Sequence, residues 1–441
     1  MSRFAWLIPF VVVAVTSSQC LMAAQPEPPL DAQLIAAIAK LQPQVVKWRR
    51  DIHQHPELSE QEVRTAKLVA DHLRSLGIEV RTGIAKTGVI GVLRGGQPGS
   101  VVALRADMDA LPVEEQTRLP FASKVTAMYG GKRSPVMHAC GHDAHVAILM
   151  GAASALAAVR AEIPGTVLFV FQPAEEGTPG DSISGAELMV KENAFTGIEP
   201  DAILGLHVQP GKPGELVWRS GAMTAASDRI EIQLAGKQTH GAQPWNGVDM
   251  ASMAADVVQA FNRIAARQLD VTISPSILSI TAINGGDRYN IIPEKMTLLG
   301  TLRTFSAENR NKAMADAEAS VAAITKLYGG SAKFIWTAPT PSIVNDPALT
   351  AAMQSTLDRA ADGRVNDAIP YVTGSDDFTY FGKLGATLFY FLGIGFPAGT
   401  NHSPLFDVVD EGAMEVGVRA QALTALHFLR GSRPRQVAQQ P

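Results

Sequence analysis

The feature that most constrains this chain is a set of short, largely apolar stretches that run into acids or histidines. Val101–Ala106 leads to Asp107 and Asp109, Thr166–Phe171 to Glu175 and Glu176, and Ala202–Leu206 to His207. Leu388–Leu392 is followed, after a short loop, by Asn401-His402. Continuous apolar runs are typical of strands buried on both faces, as in parallel sheets covered by helices. Helical spacing fills the gaps between them. Leu34, Ile35, Ile38 and Leu41 lie on one face, and Pro43 is expected to restart the pattern with Val46, Trp48 and Ile52. Ser59 with Glu62 reads as a capping box before the helical face Val63, Ala66, Val69, Leu73 and Leu76, with Gly77 at its C-cap. Ala144–Arg160, Ala186–Glu192 and Ala413–Leu429 complete the helices. The expectation is an α/β fold with a mostly parallel sheet flanked by helices. Ligands of such sheets bind beyond the carboxyl ends of the strands, where the polar residues cluster.

The pattern changes after about Gly221. Arg229–Leu234 alternates polar and apolar, the helix Val248–Arg267 follows, and then the strands Ser276–Ile283 and Lys295–Thr304. A helix, Glu308–Tyr328, and a strand, Ala332–Trp336, close the block. The order β-α-β-β-α-β is that of a ferredoxin-like α+β unit. The expected division is therefore 30–221 and 338–430 as two parts of one domain, 222–337 as an inserted domain, and a disordered tail over 431–441.

Residues 1–24 read as a signal peptide: Arg3, an apolar core from Phe4 to Val15, and small residues at Leu21-Met22-Ala23-Ala24. The core is too short to span a bilayer comfortably. A lipid anchor on Cys20 is the second reading, because Gln19 stands where a small residue is wanted. The mature protein is expected to be periplasmic or secreted. Of 2 cysteines, Cys140 would then be alone. A lone thiol in an oxidising compartment is a hazard, and it is either buried and inert or bound to a metal. The 38 Lys+Arg against 42 Asp+Glu give a net charge of −4 and form no basic run, which argues against nucleic acid as the main partner.

Thiolate, imidazole and carboxylate are the ligands of zinc and its neighbours. Cys140 and His142, in Met137-His138-Ala139-Cys140-Gly141-His142-Asp143, can both point inward from a loop, and His207, Glu176 and His402 would complete a set. Five ligands exceed one tetrahedral site and suit two metals, which can hold a hydroxide between them and polarise a carbonyl. Glu176 would bind metal while Glu175 takes the water's proton as general base. Each residue also has a plainer reading, as a solvated acid or a structural histidine. His138 and His145 compete with His142, and His53-Gln54-His55 looks like a ligand pair but is favoured as structural.

Several segments now resemble a known family. Arg49 to Leu58, Leu104-Arg105-Ala106-Asp107-Met108-Asp109-Ala110-Leu111-Pro112, Met137 to Asp143, Phe171-Gln172-Pro173-Ala174-Glu175-Glu176-Gly177, Gly205-Leu206-His207 and Asn401-His402-Ser403-Pro404 are similar to the amidohydrolase branch of the aminoacylase and carboxypeptidase-G metallopeptidases, which includes hippurate hydrolases and auxin-conjugate hydrolases. The likeness is collinear from about Leu41 to Leu429. It implies a catalytic domain with two divalent metals and an inserted lid that also mediates a homodimer. It implies Cys140, His142, Glu176, His207 and His402 as ligands and Glu175 as base. Asp107 matches an acid that orients a ligand. His240, in Thr239-His240-Gly241-Ala242-Gln243-Pro244, matches a histidine that steadies the oxyanion, in relatives often from the partner subunit. Asn290 and Arg303 match positions that contact the substrate carboxylate. Gly374-Ser375-Asp376-Asp377-Phe378 departs from the family pattern, having aspartate in place of the first glutamate. The implied reaction is hydrolysis of N-acyl amino acids or related small amides. The alternatives are a dipeptidase or carboxypeptidase on the same site and a non-catalytic binding relative. Zinc, manganese, cobalt or nickel would each suit the ligands.

Overall fold

The computed structural model describes residues 29–178 and 183–431, apart from the Ala338 side chain. The expected leader, Cys20 within it, and the expected tail beyond Gly431 lie outside the described residues. The chain starts with α1 (Pro29–Gln54) and α2 (Val63–Ser75), then β1 (Glu79–Ile84), β2 (Gly88–Arg94) and β3 (Gln97–Asp107). A hairpin of β4 (Thr126–Tyr129) and β5 (Lys132–Pro135) precedes α3 (His142–Ala158), β6 (Pro164–Gln172), α4 (Gly185–Lys191) and β7 (Ala202–Gln209). Two short strands, β8 (Leu216–Val217) and β9 (Gly221–Ala222), lead to a second group. It comprises β10 (Ala226–Ala235), β11 (Thr239–His240), α5 (Met250–Arg267), β12 (Ser276–Asn284), β13 (Ile291–Ile292), β14 (Lys295–Thr304), α6 (Ala307–Tyr328) and β15 (Ser331–Thr340). The first group resumes with β16 (Val344–Asn345), α7 (Pro347–Ala360), β17 (Val365–Asn366), β18 (Ala386–Gly393) and α8 (Ala413–Gly431).

The main sheet has eight strands in the order β1-β2-β6-β3-β7-β18-β8-β17. Its centre, β6-β3-β7-β18, is parallel, and these strands are almost wholly buried. One face packs on α1, α3 and α8 through a core that includes Leu104, Phe169 and Leu206, and the other holds a cluster around Phe378, Phe381 and Phe389. α3 is apolar on every side because it is enclosed by α1, α8 and the sheet. The second sheet, β12-β14-β10-β15, is antiparallel, with α5 and α6 over a core of its own. Its strand order and its β-α-β-β-α-β sequence are those of a ferredoxin-like unit.

Two local expectations are corrected. α1 is continuous, and Pro43 lies inside it. Leu34, Ile38, Val45 and Ile52 bury one face against α3 and α8, and that packing outweighs the one backbone bond a proline removes. Ser59 and Glu62 do not form a capping box. Glu62 is itself the residue before α2 and makes no side-chain cap bond. Ser59 Oγ donates instead to Asp109 Oδ2 (2.7 Å), and Glu62 Oε1 accepts from the Ala174 N–H (2.8 Å). Burial won here: both side chains are enclosed and serve distant loops.

The start of α1 is tied to the end of the chain. Buried Asp31 accepts from Arg359 Nη1 of α7 (2.8 Å), and His427 Nε2 of α8 lies 2.8 Å away. Asp31→Ala strips Arg359, His427 and Arg430 of a shared acceptor. It is expected to cost about 1–3 kcal/mol, read as a lower thermal unfolding midpoint. An unchanged midpoint would show that the clasp contributes nothing.

Candidate active site

The parallel strands deliver their polar ends to one crevice. Asp107 ends β3, Glu175 and Glu176 follow β6, and His207 lies near the end of β7. Cys140 and His142 stand at the N-terminus of α3, and His402 lies in the loop after β18. Gly141 separates the cysteine from the histidine with φ +93, and a Cβ there would sit 2.3 Å from Val208 Cγ2. Only glycine fits that turn. Ala174 (φ 51) and His402 (φ 69) are held in the left-handed region as well. Ala174 is pinned by Glu62, and the His402 N–H by the Ala139 carbonyl at 2.7 Å. Backbone strain of this kind persists only where the surroundings enforce it.

All five sequence-predicted ligands come together. The donor atoms of Cys140, His142 and His207 lie within 4.8 Å of one another, as do those of Cys140, Glu176 and His402. Cys140 is common to both triads. His207 Nε2 is 3.4 Å from its sulfur, and His402 Nε2 is 3.1 Å from Glu176 Oε1. Glu175 approaches the same place, its Oε2 3.9 Å from His142 Nε2.

The hydrogen bonds decide which histidines can accept a cation. His142 Nδ1 lies 2.8 Å from the Asp109 carbonyl, which places a proton on that nitrogen and turns Nε2 towards the donor cluster. Burial opposes a charge on the ring, but Asp107 and Cys140 hold its proton affinity well above the usual imidazole range, so a cation there would take the place of the Nε2 proton. That Nε2 is buried and has no hydrogen-bond partner. His207 Nδ1 likewise meets the Val208 carbonyl at 2.7 Å, and burial, with His145 beside it, holds the ring neutral. His145 is excluded: Nδ1 meets Asp107 Oδ1 at 2.5 Å and Nε2 accepts the Val208 N–H at 2.8 Å. His138 joins no donor cluster, and burial pushes it down to about 3. His53 is fully used, with Asp143 at 2.8 Å and Glu115 at 3.2 Å. Arg49 Nε reaches the same Asp143 oxygen at 2.8 Å, so this group fastens α1 to the start of α3.

The crevice is strongly electronegative. Glu175, Asp376 and Asp377 form a further cluster within 4.8 Å. Buried Arg105 meets Asp107 (2.6 Å), Asp376 (3.1 Å) and Asp377 (3.2 Å). Burial disfavours its charge, but these carboxylates outweigh that and hold the proton on. Burial, followed by Asp376, Glu176 and Asp377, pushes Glu175 well above the usual carboxylate range. Burial and then Asp376 raise Asp377 to about 7, although Arg105 opposes them. Hydrogen bonds to Cys140 and Glu176 carry His402 up to about 10. A field that holds protons on acids and imidazoles is one that a metal cation would relieve. The donor chemistry, the orphaned His142 nitrogen and this field all fit divalent metals.

Sequence reasoning did not assign Asp109, Glu62, Ser59, His145 or Arg105. Asp109 gives its carbonyl to His142 and its Oδ2 to the Glu176 N–H (3.0 Å). Asp107 touches none of the five ligands by hydrogen bond: it serves His145 and Arg105. The available signal for Arg105 was a charge inside an otherwise apolar strand.

Three residues of the second group were singled out, and only Arg303 reaches the crevice. It lines a cavity of ≈ 680 Å³ with Cys140, Glu175, Glu176, His207 and His402. Its Nη1 donates to Ser375 Oγ (3.2 Å). Burial lowers its pKa and Asp228 only partly offsets this. His240 and Asn290 lie together elsewhere, where β11 pairs with β13 and the Gly241 N–H donates to the Asn290 carbonyl (2.8 Å). His240 is exposed, and neither residue lines the cavity of its own chain.

The model of peptidase family M20/M25/M40 matches residues 103–427. The chain belongs to this family. Thermostable carboxypeptidase 1 of Saccharolobus solfataricus is 37% identical over 401 residues, covering 89% of this chain and 97% of the relative. An N-acyl-L-amino acid amidohydrolase of Geobacillus stearothermophilus is 40% identical over 291 residues, covering 66% and 75%. The crystal structure of the YxeP protein of Bacillus subtilis, described as a dinuclear metal-binding peptidase, superposes with a TM-score of 0.75 at 33% identity, covering 89% and 99%. Family membership makes this chain a metal-dependent amide-bond hydrolase.

Arg105→Met would leave Asp107, Asp376 and Asp377 buried without their cation. The expected loss is about 3–5 kcal/mol of stability, measured by denaturant unfolding. A loss below 1 kcal/mol would mean that the acids are neutral in the native protein.

Proposed function

We propose that this M20 enzyme hydrolyses the amide bond of N-acyl amino acids. Cys140, His142, Glu176, His207 and His402 would hold two divalent cations, whether zinc, manganese, cobalt or nickel, with Cys140 common to both. The observation that carries this is the pair of donor triads sharing one thiol, with the Glu175 carboxylate close beside them. When bound, such cations supply Lewis acidity, acidifying water and polarising a carbonyl. The remaining steps fall to the chain. Glu175 takes the proton of the attacking water and delivers it to the departing amine nitrogen. Arg303 holds the substrate carboxylate as a fork-shaped donor. Asp107 keeps His145 oriented, and His145 fixes the backbone of Val208 beside His207.

In this reading residues 222–337 form a lid and a dimerisation unit. His240 and Asn290 serve the active site of the partner subunit, where His240 donates to the oxyanion. Their distance from the cavity of their own chain supports that assignment. So do exposed Ile277 (41%) and Ile283 (49%) on β12, an edge strand open to pairing. The apolar leader supports export to the periplasm or beyond. A carboxypeptidase among the relatives keeps peptide cleavage as the second reading.

Glu175→Gln is expected to retain both metals, counted by elemental analysis, while turnover of an N-acyl amino acid falls about 10²–10⁴-fold. Near-wild-type turnover would remove Glu175 from the mechanism. A dimer in light scattering that becomes monomeric when Ile277 and Ile283 are both changed to Lys is the expected behaviour of the lid edge. A wild-type monomer would contradict it.

A further inference from the structure

The second group ends in a tip where exposed apolar side chains gather. Trp245 is 77% exposed, Tyr289 97% and Ile291 38%. The tip is not loose. Trp245 sits in the short turn Pro244–Asn246, and the Gln243 N–H just before it donates to the His240 carbonyl (2.8 Å). Thr239 Oγ1 donates to the Gln243 carbonyl (3.0 Å), and a Cβ on Gly247 would lie 2.5 Å from the Lys237 carbonyl oxygen, so the turn packs back on its own strand. Ile291 pairs with His240, and the Gly241 N–H bond to the Asn290 carbonyl ties in the second loop. Trp245 and Tyr289 are therefore held in one unit with His240 and Asn290. Grouped, exposed apolar side chains on a braced tip mark a contact surface.

The register of β12 says what the tip can reach. Ile277 stands opposite Arg303 on β14, and Asn284 opposite Thr297. Arg303 lines the cavity, whereas the loop to Tyr289 and Asn290 leaves from the Asn284 end. The tip thus starts roughly 25 Å along the sheet from the crevice of its own chain. A second copy laid antiparallel along the β12 edge reverses that order. With the two-fold axis at Ile280, exposed Ile277 faces the partner's Ile283, and the partner's tip comes to lie beside Arg303. The crevice offers an apolar wall to meet it: Phe391 lies beside His207, with ring centroids 6.0 Å apart, and lines the cavity with Val372 and Tyr129. We infer that the partner's Trp245 enters this cavity and, with Phe391, encloses the N-acyl group of the substrate. Trp245 lies one turn beyond His240, the residue proposed at the scissile carbonyl, and the group next to that carbonyl is the acyl group. Each active site then takes its acyl preference from its neighbour. This inference rests on the proposed hydrolysis of N-acyl amino acids and on the proposed dimer, and adds the residue that reads the acyl group.

The test compares kcat/KM for N-benzoylglycine and N-acetylglycine, using the metal-loaded full chain. The wild type is expected to favour the benzoyl substrate by about ten- to a hundredfold, the worth of burying one phenyl group. Trp245→Ala is expected to lower that ratio about three- to tenfold, and Trp245→Phe to keep most of it. Co-expressing a Trp245→Ala chain and a Glu175→Gln chain under different tags gives mixed dimers. Their one competent site, in the chain that keeps Glu175, receives Trp245 from its neighbour, and the wild-type ratio is expected to return. Mixed dimers that keep the Trp245→Ala ratio would place the tryptophan in the site of its own chain and overturn the inference. A wild type indifferent to the acyl group, or a Trp245→Ala homodimer with the wild-type ratio, would overturn it too, and each of these results leaves the proposed hydrolysis standing. Tagged chains that never co-purify would contradict the dimer and the inference together. Failure to cleave any N-acyl amino acid overturns the proposed function itself.

Discussion

One buried cation organises the catalytic end of this molecule. Arg105 sits on the central strand β3 with no exposure and gathers Asp107, Asp376 and Asp377 from two remote parts of the chain. Gln172 joins them, accepting from Arg105 Nε at 2.8 Å and donating to Asp377 Oδ1 at 2.7 Å. Asp377 Oδ2 in turn accepts the Ala186 N–H at the start of α4 (2.8 Å). Two strand ends, the Asp376-Asp377 segment and a helix are thereby fixed around the place where the donor side chains meet. A lone buried charge would be very costly, and so would the acids without it. The group is stable only as a whole, which is why it specifies geometry so strongly.

One cation among four nearby carboxylates does not balance them. The surplus appears as raised proton affinity at Glu175 and Asp377. Asp107 is the exception: burial alone would raise it, but Arg105 and the histidines His142 and His145 hold it well below the usual range. The site therefore separates its acids into one that stays ionised beside His145 and Arg105 and others whose proton affinity is raised. In the proposed reading a metal pair held by the donor triads would supply positive charge and leave Glu175 free to exchange a proton.

Much of this was legible in the sequence because the signals were local. The largely apolar strands, the change to alternating strands after Gly221, and the polar strand ends each follow from a few consecutive residues. The five donors were legible for the same reason. What escaped depended on distant partners. Ser59 and Glu62 have the spacing of a capping box, yet they brace the loops of Asp109 and Ala174. His145 and His142 are indistinguishable by composition, and only the Val208 N–H shows which nitrogen is already taken. Pro43 suggested a break that packing on α3 and α8 overrides. The β4-β5 hairpin had a readable mark in Gly130-Gly131, whose positive φ angles of 56 and 77 suit a tight hairpin turn. The departure to Asp376 is absorbed, since its carboxylate still reaches Arg105 at 3.1 Å and accepts the Phe378 N–H at 2.8 Å.

The account stands or falls on whether Cys140, common to both donor triads, would serve two cations. Crystals of the purified protein, measured across the absorption edge of the metal it carries, test this directly. Two anomalous peaks per chain are predicted, one among Cys140, His142 and His207 and the other among Cys140, Glu176 and His402. A single peak, or peaks that do not adjoin the Cys140 sulfur, would contradict it.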